Sequence, residues 1–268
     1  MRIVSLNAWG GQCWEALADW LPAAAPDVLL LQEVTRAPVP SPDWLTYRDP
    51  YRQLDQRADL FGDICRLLPR HQPAFAAAAR GTLQDAAGTE IPSEHGLGTW
   101  IAPHLAVTAS LSRFVHGAFR ADGWGEEPVP RTAQGFRLAD PATGRALAVA
   151  HMHGLRDPSG KGDTSARRAQ AEALLALVRD VAAPGDPLVV AGDFNLLPGA
   201  ETFAILARAG LKDLVTSRGH KDTRTALYPK PGRFADYCLV TPDIPVAAFT
   251  VPAEPVVSDH RPLILDLA

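Results

Sequence analysis

The chain has 268 residues and a mass of 28.7 kDa; 47% of residues are hydrophobic and 21% charged, which suits a folded globule and excludes a disordered chain. A net charge of −4 and a pI near 6.1 leave no global basic field for nucleic acid or anionic membranes. The nearest approach to a membrane-spanning run, residues 26–34, falls far short of the roughly 20 apolar residues a span requires.

In chain order, short apolar runs predict strands at 2–6, 27–31, 146–150, 187–191, 235–240 and 262–267, with a further strand at 96–102. Helical spacing predicts helices over 13–24, 52–68, 165–183 and 200–209. The third is the clearest: Leu174, Leu177, Val178 and Val181 form one stripe, and Asp163, Thr164 or Ser165 stands ready to cap it. Residues 38–42 and 117–131 read as surface loops, and Trp124 within the second reads as a packed anchor in preference to an exposed tip. Three scattered cysteines, Cys13, Cys65 and Cys238, argue against a disulfide scaffold and against a thiolate zinc site. Met1-Arg2 runs straight into the first strand with no signal-peptide pattern, so the expected location is cytoplasmic. No repeat or linker divides the chain, so residues 1–268 are expected to form one α/β domain, acting as a monomer.

Polar residues recur where strands meet loops. Asn7 follows the first strand, and Gln32-Glu33 the second. His151-Met152-His153 and Gly192-Asp193-Phe194-Asn195 end two more; Asp236 opens another, and Ser258-Asp259-His260 stands before the last. On a strand, residues i and i+2 share a face, so His151 points with His153 and Asp193 with Asn195. Taken singly, each has an ordinary reading as a turn former, a solvated acid or a structural histidine. Six such coincidences in one chain point to a site.

In order, Ser-Leu-Asn7, Leu-Gln32-Glu33, His151-Met-His153, Gly192-Asp193-Phe-Asn195, Asp236-Tyr237 and Ser258-Asp259-His260 resemble the endonuclease/exonuclease/phosphatase superfamily, the DNase I-like metal-dependent phosphohydrolases. The resemblance spans residues 7–260. It implies an α/β (α+β) fold, a four-layer αββα sandwich of two mixed β-sheets packed face to face with helices outside and a site at one rim. It implies Glu33 as the principal metal ligand, helped by Asn7 and Asp259, with Mg²⁺ or Mn²⁺ as cofactor. Asp193 corresponds to the residue that activates water, Asn195 and His260 to phosphate contacts, Asp236 to the residue orienting His260, and His153 to a catalytic histidine. Two departures stand out. His151 occupies a position where asparagine is usual and is expected to face substrate, and Gly154 replaces a leucine.

The chemistry agrees with the resemblance. Hydrolysis of a phosphate ester develops negative charge, whereas four carboxylates in one pocket repel unless a cation binds or some protonate. All-oxygen ligands suit hard divalent ions, and in-line attack by water is the expected reaction. The alternatives are a zinc hydrolase built on His151 and His153, and a catalytically inactive binding module. The zinc reading lacks its remaining ligands, because Gly154-Leu155-Arg156 follow the histidines. Positive charge beside the motifs is local to two loops, one around Lys161 and Arg167, the other around Arg224 and Arg233, of which Arg233 is expected to contact substrate. The expected partner is an anionic phosphate ester, a small molecule ahead of nucleic acid, with no stable membrane association.

Overall fold

The computed structural model describes residues 1–38, 40–49, 52–124 and 128–268. Strand β1 (Arg2–Asn7) leads through a 3-10 turn (Trp9–Gly11) into helix α1 (Trp14–Ala24), and β2 (Val28–Arg36) returns parallel to β1. Alternate side chains part to opposite faces. Val4, Leu6, Leu29 and Leu31 pack with Leu17 and Leu21 of α1, while Ile3, Val28 and Leu30 join a second core on the other side. Both faces of these strands are buried, which is why they read as nearly unbroken apolar runs.

A hairpin of β3 (Trp44–Asp49) and β4 (Arg52–Arg57) follows, then helix α2 (Leu60–Leu67) and the long pair β5 (Gln72–Gln84) and β6 (Glu90–Ile101). The helix expected over 52–68 is therefore corrected in its first half. Gln53 and Asp55 are exposed while Leu54 and Gln56 are partly covered, a period of two that suits a strand. The Asp59 side chain then accepts from Gly62 N at 3.2 Å and starts the helix only there.

Strands β7 (Ala106–His116), β8 (Arg131–Asp140) and β9 (Arg145–His153) precede helix α3 (Ser165–Val181), which Thr164 caps. Then come β10 (Leu188–Asp193), α4 (Glu201–Ala207), β11 (Lys212–Asp213), α5 (Leu214–Ser217), β12 (Asp236–Val240), β13 (Val246–Thr250) and β14 (Leu263–Leu267). Arg131 thus belongs to a strand, not to the loop expected over 117–131, of which 125–127 lie outside the described residues.

Among the described residues the strands form two mixed sheets, ordered β13-β14-β1-β2-β6-β5-β3-β4 and β11-β12-β10-β9-β8-β7. Helices α1 and α2 cover the first sheet, and α3 covers the second so closely that a Cβ on Gly135 would stand 2.7 Å from Leu177. The layers run helix, sheet, sheet, helix, the expected four-layer sandwich. The parallel pairs β1–β2 and β9–β10 end at a common rim. No described helix is long and apolar enough to cross a membrane.

Candidate active site

The rim is built from strand ends. In the second sheet His153, Asp193 and Asp236 are register partners across three neighbouring strands. From the first sheet, Asn7 Nδ2 donates to Glu33 Oε1 and to Asp193 Oδ2, both at 3.0 Å, and so joins the two sheets. Its Oδ1 accepts from Trp9 N at 3.0 Å. Glu33 arrives through a bulge: the β2–β6 register shifts between Leu31 and Val34, and Glu33 takes a left-handed φ of 55°. Such strain in a residue other than glycine turns its carboxylate toward the rim and is characteristic of functional sites.

Asp193 is 1% exposed and is the hub. Its Oδ1 accepts from Asn195 N at 2.8 Å, while Oδ2 faces Asn7 and lies 3.6 Å from Nε2 of both His153 and His260. Asn195 also has a left-handed φ, 53°, which asparagine tolerates. Its Nδ2 donates to Gly154 O at 3.2 Å. Gly154 is required by that close approach, because a Cβ there would stand 2.4 Å from Phe194 O. Burial raises the Asp193 carboxyl above the usual range, against the pull of His260.

His260 is fixed from behind, its Nδ1 2.9 Å from both oxygens of Asp236. Burial alone would lower its basicity, but Asp236 and Asp193 outweigh that and raise it. The neighbouring Asp259 is raised by burial, with His260 and Arg224 opposing. Arg224 Nη1 donates to Asp259 Oδ2 at 2.7 Å, leaving Asp259 Oδ1 buried without a hydrogen bond, 3.7 Å from His260 Nε2. A bridge between Arg224 and His260 aligns this loop with the segment before β14, and the guanidinium carbon stands 4.2 Å over the Tyr228 ring.

Three more basic groups enter the site, Arg131 and His95 from places no motif marked and Arg224 from the basic loop before Asp236. Arg131, at the start of β8, reaches His153 Nδ1 at 3.3 Å. His95 pairs in register with Thr35 and lies near Glu33. Burial pushes Glu33 up, but His95, the Asn7 amide, His260 and Arg131 together hold it below the carboxylate range. Burial takes His153 well below the histidine range, and Arg131, His95 and His260 add to that. Arg224 completes the set. Only cross-strand pairing reveals Arg131 and His95, which in the sequence are an isolated cation and a histidine outside the strand-end pattern, whereas Arg224 belongs to the basic loop before Asp236.

Two expected substrate contacts sit elsewhere. His151 shares the face of His153 but lies deeper and is fully enclosed between the sheets. Its Nδ1 accepts from Gln32 at 3.1 Å, and its Nε2 lies 2.9 Å from Thr99 Oγ1 and 3.1 Å from Gln134 Oε1. Burial alone pushes it down to about 3, so it is neutral. It cannot face a substrate or share a zinc ion at the rim with His153. Arg233 donates to Asp222 at 2.7 Å and to the carbonyls of Tyr228, Arg224 and Thr225, so its guanidinium holds the loop together. In the other basic loop, Arg167 is likewise buried on the carbonyls of Gly162, Leu155 and Asn195. Lys161 Nζ donates to Gly232 O at 2.7 Å and ties the two loops together. Trp124 is half-buried against Gly81, Tyr47 and His95, a packed anchor.

Two face-to-face sheets whose shared rim gathers carboxylates, asparagines and two histidines define a class of α/β sandwich. The family model described as the endonuclease/exonuclease/phosphatase family matches residues 4–260, and the chain belongs to that family. Among solved structures it is similar, over its whole length, to a mannosyl-6-phosphatase from Bacteroides thetaiotaomicron VPI-5482 (TM-score 0.71, 14% identity, 99% of that chain covered). It is similar also to an endonuclease/exonuclease/phosphatase from Beutenbergia cavernae DSM 12333 (TM-score 0.68, 20% identity, 71% covered). A third is the catalytic domain of human Nocturnin with a bound sulfate anion (TM-score 0.60, 18% identity, 93% covered). At these identities the likeness is one of fold. A search of curated proteins finds no match.

Proposed function

We propose that the protein is a divalent-metal-dependent hydrolase of phosphate esters that directs water in line onto phosphorus. The observation that carries this reading is the convergence of both rim histidines on Asp193 Oδ2, each with Nε2 at 3.6 Å. Because the site draws on β1 at one end of the chain and on Asp259-His260 at the other, we read residues 1–268 as one catalytic unit.

The donor set fits a hard cation. Glu33, Asp193, Asp236 and Asp259 share the rim, and two unit charges 4 Å apart repel by about 4 kcal/mol at an effective dielectric near 20. Asp193, Asp236 and His260 offer ligand atoms within 4.8 Å of one another, but His260 is already bound to Asp236 there, so this trio reads as a relay. Asp259 Oδ1, which has no hydrogen-bond donor, and the Glu33 carboxylate supply the oxygen ligands that suit Mg²⁺ or Mn²⁺, while Asn7 supports Glu33 by donating from Nδ2, its own Oδ1 being turned to Trp9 N. A bound cation supplies Lewis-acid polarisation of a phosphoryl oxygen.

The chain's own groups perform the rest. Asp193, raised by burial and fixed by the Asn195 backbone and the Asn7 side chain, orients the attacking water and accepts its proton. His260, kept protonated by Asp236, places positive charge on the phosphate, and His153 donates from Nε2 to another phosphoryl oxygen. Asn195 holds the Asp193 carboxylate and stands beside the phosphate. Much of the basic rim is spent on internal carbonyls, so the charge offered to substrate is local, which favours a small ester over a long nucleic acid.

A substrate panel tests it: sugar phosphates, inositol phosphates, p-nitrophenyl mono- and diesters, RNA and abasic duplex, each with Mg²⁺, Mn²⁺ or EDTA. The expected result is metal-dependent release of phosphate or alcohol from a small ester, abolished by EDTA. Turnover that survives EDTA, or none on any ester, contradicts the proposal.

A further inference from the structure

The two rim histidines are gripped at their far nitrogens by groups of opposite charge. His260 Nδ1 faces a carboxylate, which only accepts, so that nitrogen carries a proton. His153 Nδ1 faces Arg131 Nη1 at 3.3 Å, and a guanidinium only donates. Nδ1 of His153 therefore accepts and bears no proton, and the ring proton sits on Nε2. That nitrogen stands 3.6 Å from Asp193 Oδ2 and 3.8 Å from Glu33 Oε1, at the reacting centre. Arg131 and His153 are 7% and 6% exposed, so water competes little for either group. The β8–β9 register, with Ala133 opposite Met152, sets Arg131 beside the end of β9 and fixes the approach.

We propose that Arg131 is a positioning residue that acts through His153: by donating to Nδ1 it locks the Nε2–H tautomer and aims that N–H into the site as a hydrogen-bond donor to a phosphoryl oxygen. Asp236 imposes the same Nε2-inward geometry on His260 from a group of opposite charge. The rim thus holds two imidazoles of like orientation, each fixed at Nδ1 by a different partner. The tautomer follows from the Arg131 contact alone, whereas the acceptor on the substrate rests on the phosphate-ester reading.

The experiment is two-bond 1H–15N correlation NMR on the full chain labelled at histidine nitrogens, with His153 assigned by loss of its signals in His153→Gln. The expected spectrum shows His153 with a bare Nδ1 and a protonated Nε2. In Arg131→Met the Nδ1–H tautomer appears, and in Arg131→Lys, which restores a donor, it recedes. Unchanged His151 signals mark a folded variant. A proton on Nδ1 in the parent protein overturns the proposal, as does a ring identical in parent and Arg131→Met. The parent spectrum decides even if a variant does not fold. On any ester that is turned over, Arg131→Met is expected to lower kcat about tenfold or more with KM within about threefold. A loss confined to KM overturns the positioning role. Failure to find a turned-over ester overturns the functional reading and leaves the tautomer result standing.

Discussion

His151 and His153 project from the same face of the same strand, two residues apart, yet they occupy opposite environments. His151 is sealed between the sheets among Gln32, Thr99 and Gln134, and burial holds it neutral. His153, one step nearer the strand end, meets Glu33, Asp193 and Arg131. Residue type and periodicity are identical in the two cases. What differs is depth below the rim: at the rim the sheets open and side chains from both meet, whereas one step inside each polar atom must find a partner within the core. The lesson is that strand periodicity assigns a face, and only the sandwich assigns a depth.

Substitutions that break this contrast should separate activity from stability. The largest loss is expected at the rim. His260→Gln should lower kcat about 10²- to 10⁴-fold while the fold persists, read by steady-state kinetics alongside circular dichroism. A variant within about tenfold of the parent would remove His260 from the chemistry. In the interior the order reverses. His151→Leu should leave kcat within about threefold at permissive temperature, but cost about 1–3 kcal/mol by stranding its buried polar partners. Urea unfolding measures that cost; full stability with lost activity would place His151 in the site after all.

Smaller effects come from pH in the absence of metal. His260 is raised in the folded state, so its contribution to stability is complete below the ordinary value near 6.5 and is lost as pH rises through the folded value. His260→Gln should therefore flatten the decline in metal-free stability on the alkaline side. Asp193 has the opposite sign: a carboxylate raised by burial costs stability once pH exceeds its unfolded value. Asp193→Asn should accordingly raise the melting temperature of the metal-free protein at neutral pH, and an unchanged or lowered value would refute the strained-carboxylate account.

Legibility followed burial geometry. Strands β1, β2, β9 and β10 are covered on both faces and wrote themselves as apolar runs, and α3 announced itself by its stripe and the Thr164 cap. Strand β5 did not. Its alanines at 76–79 have weak strand propensity, and pairing with β6 from Gln72–Ile101 to Gln84–Glu90 holds them extended. The stretch from Arg52 to Leu67 misled because an alternating strand and an apolar helix lie end to end, with Asp59 as their boundary. At the site, the strand-end residues Asn7, Glu33, His153, Asp193, Asp236, Asp259 and His260 stood out because polar groups interrupted apolar runs. Arg131 and His95 did not, because nothing local in their segments demands them, and Arg224 was visible only as one cation of a basic loop. Sheet register and a single bridge bring them in. Arg233 shows the converse: a basic residue beside a motif whose donors go mainly to its own loop.

The central claim, that the rim is a metal-assisted hydrolytic centre organised around Asp193, is tested most directly by one paired measurement on Asp193→Asn. Calorimetry with Mg²⁺ or Mn²⁺ reads cation binding, and single-turnover kinetics on the best ester reads the chemical step. The account predicts a variant that still binds the cation through Glu33 and its neighbours, yet hydrolyses about 10²- to 10⁴-fold more slowly than the parent. Hydrolysis within about tenfold of the parent, with the cation bound, would contradict it.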